Sequence, residues 1–529
     1  MNAFGRLYYR HRHPNLKRKS GNIADFCRRW GRRYPYMIVL DADSLMSGAA
    51  MVRMVRCMER HSDIGILQTT PMLAGNNSPL ARVQQFANHL YGPMFAAGLH
   101  FWQLGDGQYW GHNAIIRVAS FMRHCALPRL SGSPPMGGDI LSHDFVEAAM
   151  MRRAGWSVWL AYDLPGSYEE TPSTLIDELL RDRRWCQGNL QHLRLLLTRG
   201  LLPAHRFLFL NGAMSYISAL LWFCFIALST VEALSMALFE PDYFPREGSL
   251  FPDWPVWDPS WLLVLLANTM IILFTPKVMG LVLAWRRHHL QVFGGCLRTT
   301  LGVLAEIVVS ACLAPVRMAA HSKFVAVTLL GRTIGWTPSD RDERGTAWTT
   351  AFRFHAATSL AAVIWGSAVF LINRAFFWWI MPIAVPLVLA VPVSVLISRL
   401  SLGKCLRRRG LFLSPPELQP FPELMALNQQ MNRSQDPTED GAAASGFVRS
   451  VVEPERLCLH KRMRRGGRRV SASIARHRRN LVRKALDHGP DALSAWEKMQ
   501  LLSDADSLQR LHDRVWELPE GDAARKWGL

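Results

Sequence analysis

The sequence predicts an α/β domain followed by an α-helical membrane domain. Three observations lead there. In the first 200 residues short apolar runs alternate with helical stretches, the pattern of a layered α/β fold. Later runs such as FLFLNGAMSYISALLWFCFIALSTV (207–231) reach the roughly 20 residues a helix needs to cross a bilayer. Lys and Arg cluster between and after those runs, in a chain of 529 residues with net charge +20. The mean hydropathy of +0.04 is thus an average over unlike parts.

Residues 1–200 open with MNAFGRLYYRHRHPNLKRKSGN, which has no apolar core, so no secretory signal is expected in it. Buried strands are predicted at YMIVL (36–40), GILQ (65–68) and WSVWLAY (156–162), and a helix at PLARVQQFANHLYGPMFAAGL. Only a basic, polar stretch precedes the first strand, so half of the sheet is expected to be missing. The nine cysteines show no C-x-x-C and no paired spacing, and four of them (Cys27, Cys57, Cys125, Cys186) lie in this region. That argues for a reducing compartment and against a disulfide frame or a zinc site.

Residues 205–400 read as membrane. Clear spans are expected at about 207–231, 261–285, 354–372 and 376–398. Glu306 and Pro315 weaken 296–317, which is read as an interfacial or re-entrant helix, with an extra pair of spans as the alternative. The loop at 286–298 and the stretch after the last span are basic, whereas 236–260 carries more acid than base. The positive-inside rule then puts the basic loops and the front domain in the cytoplasm. Lys277, just after Pro276, faces either an internal path or the boundary of a span ending near Phe274. Residues 403–529 form a basic region, read as a cytoplasmic tail near anionic lipid. Nucleic-acid binding is not expected, because no aromatic interleaving accompanies the charge.

The chemistry starts at DADS (41–44). A strand ending in Asp-x-Asp puts Asp41 and Asp43 at the carboxyl edge of a sheet, where ligands of open α/β folds bind. Such a pair can share a hard cation, Mg2+ or Mn2+, on a diphosphate. The alternatives are a surface turn with Asp43 capping the next helix, or a dehalogenase-type phosphatase with a nucleophilic Asp, for which Leu45 is the wrong residue. A nucleotide-sugar glycosyltransferase needs more parts, and they follow in order. In GGDILSHDFVEAAMMRRAGW, Asp144 falls at a helix start, placed to stay ionised as a general base. In DELLRDRRWCQGN, Arg184 suits a diphosphate and Trp185 a sugar face; membrane-interface anchoring is the alternative. A second DADS (504–507) has no strand before it. There Ser503 and Asp506 read as a helix cap, followed by an apolar stripe at Leu508, Leu511, Val515 and Leu518.

This order of motifs resembles the processive inverting glycosyltransferases. The stretches YRHRHPNLKRKSGNIADFCRRWG, YMIVLDADS, ILQTTP, LSHDFVEAAMMRRAGW and RDRRWCQGN resemble the glucans biosynthesis glucosyltransferase H family, over roughly residues 5–420. The resemblance implies a GT-A-like, Rossmann-related fold and an inner-membrane enzyme of bacteria. It would build a β-1,2-glucan backbone for osmoregulated periplasmic glucans from UDP-glucose. It implies Lys19 and Asn22 beside the UDP, a divalent metal on Asp41 and Asp43, and Asp144 as base. Arg184 and Trp185 would hold the diphosphate and the acceptor, with Trp110 and His112 of YWGHNA as secondary acceptor-loop candidates. Arg181 stands where the wider superfamily usually has Gln. Acyl carrier protein and a periplasmic glucan-processing protein are the partners the resemblance implies, beside membrane lipids and the growing glucan. The family has further sequence before YRHRHPN, including spans and the first strands. Met1 is therefore expected to fall inside the catalytic domain. A catalytically inactive remnant or scaffold is the alternative function, and another processive β-glycan synthase the alternative enzyme.

Overall fold

The computed structural model describes residues 8, 10, 12, 15–239, 260–332, 345–435, 446–462, 470–519 and 521–529. They divide into two units: Lys17–Leu424, and Met425–Leu529 with Met1–Leu16.

The larger unit begins with α1 (Arg18–Trp30), β1 (Tyr36–Val39), β2 (Ser44–Met46), α2 (Gly48–Arg60), β3 (Ile64–Thr69), β4 (Met72–Leu73) and α3 (Pro79–Gln103). Then come β5 (Ala114–Arg117), α4 (Val118–His124), α5 (His143–Arg153), β6 (Ser157–Ala161), β7 (Ser167–Glu169) and α6 (Leu175–His192). The main sheet has the order β1-β5-β3-β6. In it β5 runs antiparallel to both neighbours and β3 runs parallel to β6. A smaller sheet has the order β2-β7-β4. All three predicted strands form. β3 is buried along its whole length, which explains its unbroken apolar text. Alternate side chains serve opposite faces. Ile66 and Ile116 pack with Ala148 and Met151 of α5, while Leu67 and Ile115 pack with Met54 and Met58 of α2. Helices therefore cover both faces of the sheet. Asp43 does not cap α2: β2 intervenes, and Ser47 accepts the Ala50 amide at 3.0 Å.

The apolar part comprises α7 (Pro203–Leu238), α8 (Ser260–Arg286), α9 (Cys296–Leu329), α10 (Trp348–Ile372), α11 (Arg374–Val388) and α12 (Ala390–Ile397). By length and composition α7, α8 (from Leu263), α9 and α10 can each cross a membrane, and α11 with α12 forms one pair bent by 56°. The 296–317 stretch, expected as an interfacial or re-entrant helix or one of an extra pair of spans, is part of a continuous 34-residue helix. Its Glu306 is tolerated because it meets Lys277 of α8 and accepts the Ser310 hydroxyl at 2.7 Å. The 376–398 stretch, read as one clear span, is instead broken near Leu389, in a segment that carries Pro382 and Pro386. Lys277 lies inside α8, which runs on to Arg286 rather than ending near Phe274. Most of the acidic loop, 240–259, lies outside the described residues.

After the last apolar helix come α13 (Leu400–Arg408), α14 (Pro415–Leu418) and α15 (Pro422–Gln435). The division at Leu424 falls later than the expected start of the tail at 403. The reason is Arg82 of α3: its buried guanidinium bonds Glu417 at 2.6 and 3.0 Å and the Phe412 carbonyl at 2.9 Å.

The smaller unit contains α16 (Gly446–Val452), α17 (Pro454–Arg462), α18 (Ala472–His488), α19 (Ala495–Leu502), α20 (Ala505–Trp516) and α21 (Asp522–Arg525). Phe447, Val451, Leu481, Leu508, Leu511, Val515 and Trp527 form its core. The basic stretch is thus partly a packed helix, α18; residues 463–469 lie outside the described ones. The second DADS does start a helix, with a different cap from the one expected. Asp504, not Ser503, accepts the Ser507 amide at 3.0 Å, and Arg478 donates to its other oxygen at 2.8 Å.

Candidate active site

At the end of β1 the chain turns sharply. The Asp41 amide donates to Ser44 Oγ and the Ser44 amide to the Asp41 carbonyl, both at 3.1 Å. The turn puts Asp41 and Asp43 at the sheet edge. Lys19, on α1, reaches Asp41 Oδ1 at 2.6 Å, with the two side chains 33% and 37% exposed. Asn22 stands almost one turn further along α1 and is exposed. The structure thus puts Lys19 against the Asp-x-Asp pair.

The YWGHNA loop lies beside this edge because β3 ends in two polar residues. Gln68 accepts the Trp110 amide at 2.9 Å and donates to the His112 carbonyl at 2.9 Å. Thr69 Oγ1 donates to the Asn113 carbonyl at 2.7 Å, and Asn113 donates to Ser167 Oγ of β7 at 2.8 Å. His112 then sits 3.5 Å from Glu169 at the end of β7. Trp110 donates its ring N–H to Gln108 at 3.3 Å, which ties it to the loop itself.

Asp144 occupies the first turn of α5, where the helix dipole favours a negative charge. Its carboxylate is 19% exposed and lies 2.9 Å from His143 Nδ1, which also bonds Glu147 Oε1 at 3.0 Å. Burial works to lower the His143 pKa, but the two carboxylates outweigh it and raise it to about 10. His143 is therefore an imidazolium. Burial works to raise Asp144, and His143, with smaller help from Lys19 and His112, holds it below the ordinary Asp value. Glu147 is pushed up, first by burial and then by Asp144. Gly111, at φ +92°, passes so close that a Cβ there would lie 2.5 Å from Asp144 Oδ2. Behind Asp144, Ser142 is clamped to α6: its carbonyl meets His192 Nε2 at 2.8 Å, and Gly188 leaves it room.

On α6, Arg181 lies over the Trp185 ring at 4.4 Å, and Trp185 is 47% exposed. Burial, then the like charges of Arg18 and Arg181, push the Arg184 pKa down.

Two groups of acids could hold a metal. Ligating atoms of His143, Asp144 and Glu147 lie within 4.8 Å of one another; Nδ1 bonds Glu147 Oε1 and stands 2.9 Å from Asp144 Oδ1, a buried oxygen that accepts no hydrogen bond among the described residues. That trio is an ion-pair cluster. Asp41 and Asp43, one residue apart in the turn after β1, are the second candidate. They offer only oxygen ligands, and Asp41 has already drawn a cation, Lys19, to 2.6 Å. Glu169 adds a nearby carboxylate; burial raises its pKa first, and Asp43 and Asp41 raise it further against His112 and Arg181.

The structure therefore brings Lys19 against Asp41, His112 against Glu169 and His143 against Asp144, and puts Arg181, Arg184 and Trp185 on one helix. Glu169 and His143 were missed by sequence reasoning. Glu169 ends a three-residue strand with no periodicity to reveal it. His143 was readable only as the neighbour of Asp144.

Comparison with known proteins gives a consistent picture. A family model described as "Glycosyl transferase family group 2" matches residues 36–285. The chain is 49% identical over 514 residues to a protein of Pseudomonas entomophila (strain L48) named "Glucans biosynthesis glucosyltransferase H", covering 97% of this chain and 60% of that one. Proteins of the same name in Pseudomonas putida (strain W619) and Pseudomonas fluorescens (strain Pf-5) are 48% and 47% identical. They cover 97% and 99% of this chain, and 59% and 61% of the relatives. The chain thus spans about 60% of the length of the curated relatives it matches.

Proposed function

We propose, on the premise that this chain is a relative of the glucans biosynthesis glucosyltransferase H proteins, that it transfers glucose from UDP-glucose to a growing β-1,2-glucan with inversion at the anomeric carbon. The observation that carries the reading is Asp144: a carboxylate at a helix start, 2.9 Å from His143 and held below its ordinary pKa by it and, to a smaller extent, by Lys19, which itself meets Asp41 at 2.6 Å.

Inverting transfer needs a base on the acceptor face and a charge sink on the leaving group. Asp144 takes the proton from the acceptor hydroxyl as that oxygen attacks. The anomeric C–O bond to phosphate breaks, and the electron pair leaves on UDP. Arg184 and Arg181, with Lys19, lie where they can take up the diphosphate charge. Asp41 and Asp43 are the residues that would hold Mg2+ or Mn2+, which when bound neutralises the same oxygens. Asn22 borders the nucleotide. Trp185 offers the acceptor sugar a stacking face, with His112 and Trp110 bordering it. The apolar helices suit a bacterial inner membrane with the α/β part and the tail on the cytoplasmic side. Acyl carrier protein and a periplasmic glucan-processing protein belong to the same reading.

The test uses membranes carrying the full chain, radiolabelled UDP-glucose and Mg2+ or Mn2+. Asp144→Asn is expected to lower transfer by about 10²–10⁴-fold, the range of a lost general base, while UDP still binds. Near-normal turnover in that variant would remove Asp144 as the base.

A further inference from the structure

The helix that carries the acceptor platform is held from behind by α9. On α6, Glu178 and Asp182 stand four residues apart; on α9, so do Arg317 and His321. The two pairs meet in register. Arg317 donates to both oxygens of Glu178, at 2.7 and 3.2 Å, and Glu178 is buried. Gln84 of α3 donates to the same carboxylate at 2.6 Å. One turn on, His321 Nε2 meets Asp182 Oδ2 at 3.3 Å. The His321 ring packs between Tyr216 of α7 and Phe324, with centroids 5.3 and 6.1 Å away. Asp182 in turn lies 3.4 Å from the Arg181 guanidinium, which covers the Trp185 ring. A continuous line of polar contacts therefore runs from an apolar, membrane-length helix, through His321, Asp182 and Arg181, to an exposed Trp face.

We propose that Arg317 and His321 are positioning residues for the acceptor subsite: they hold α6 so that Arg181 and Trp185 keep one orientation toward the sugar. This rests on Trp185 as the acceptor platform. The physical warrant is the geometry of the pairs. A bidentate Arg–carboxylate contact fixes both distance and rotation of a helix, and its buried carboxylate tolerates no partial replacement without loss. His321 adds a second fixed point one turn away, which removes the remaining freedom of α6 to roll about its axis.

The experiment measures acceptor KM, kcat and UDP affinity in membranes bearing the full chain, with UDP-glucose and a short β-linked glucose oligomer. His321→Phe keeps the ring packing and loses the bond to Asp182. It is expected to raise acceptor KM about fivefold, the scale of one lost hydrogen bond, with a smaller loss of UDP affinity, because Arg181 and Arg184 share α6 with Trp185. Arg317→Lys, which keeps the charge and loses the fork, is expected to do the same to a smaller extent than Arg317→Gln. The exchange Glu178→Arg with Arg317→Glu recovers part of the loss if orientation is what matters, and it controls for variants that fail to fold. Trp185→Ala separates the two levels. If it raises acceptor KM while His321→Phe and Arg317→Lys do not, the positioning role is wrong and the platform stands. If Trp185→Ala leaves acceptor KM unchanged, the platform reading fails and takes the positioning role with it. Equal loss of UDP and acceptor binding in the α9 variants also overturns the proposal, since it would mark a general collapse of the site.

Discussion

Asp144 shows how little of a residue's chemistry its own position fixes. Its helix start was legible in the sequence; its partner was not. His143 is held charged up to about pH 10, and Asp144 is held below its ordinary value of 3.8. The contribution of His143 to stability is therefore complete below about pH 6.5 and lost as pH rises through about 10. That of Asp144 is complete above 3.8 and lost as pH falls through its lowered pKa. His143→Gln removes the largest influence opposing burial and leaves only Lys19 and His112 against it, so Asp144 should rise. The acid limb of the transfer rate is then expected to move upward into the range above pH 4. Rates measured from pH 4 to 8 check this, and an unmoved limb would show that His143 does not keep the base ionised. Gly111 is the second residue-scale case. Any side chain there combines a left-handed backbone with a Cβ 2.5–2.9 Å from the Asp144 carboxylate. Gly111→Ala is expected to cut kcat at least tenfold with UDP binding retained, measured by turnover and titration.

At the scale of elements, polar side chains decide how apolar helices pack. Lys277 on α8 and Glu306 on α9 form an ion pair between two predominantly apolar helices. Glu306→Leu leaves Lys277 without its carboxylate, and unfolding in detergent is expected to become easier by about 1–3 kcal/mol. Lys277→Met in the same chain should recover most of it, because an apolar pair has no charge to desolvate. Failure of the double variant to recover would mean that the helices need the charge itself. The caps make the same point in polar segments. Ser47 and Ser78 cap α2 and α3 through their hydroxyls, and Asp504 caps α20. Asp504→Ala should cost about 1 kcal/mol of helix stability and leave transfer unchanged, whereas Asp41→Ala should remove transfer.

At the scale of the whole molecule, the smaller unit holds one hydrophobic core of its own, and the larger unit holds several others. The core of the smaller one includes Leu508, Leu511 and Val515, all fully buried. Leu511→Ala is expected to destabilise that unit by about 2–5 kcal/mol, read as faster amide exchange in α16 to α20. Exchange in the β3–β5–β6 sheet should not follow; if it did, the units would not be thermodynamically separate. Much of this architecture was legible in advance. β1, β3 and β6 were predicted because buried strands are apolar without interruption, and three apolar helices were expected close to where they form. β5 and β7 were missed because four and three residues carry no readable period. The full length of α9 was not legible, because Glu306 and Pro315 look like interruptions until Lys277 and the packed neighbours are seen.

By itself the sequence determined the order of parts: an Asp-x-Asp after a strand, an acid at a helix start, an Arg-Trp pair, then apolar helices. These follow from local chemistry, which acts between residues close in the chain. Only the tertiary structure decided which of them meet. Lys19 lies 22 residues before Asp41 and touches it. Glu169 joins the same edge from β7, and Arg317 reaches Glu178 across 139 residues. Such encounters depend on how the sheet orders its strands and how the helices cross it, and no stretch of sequence contains that information alone.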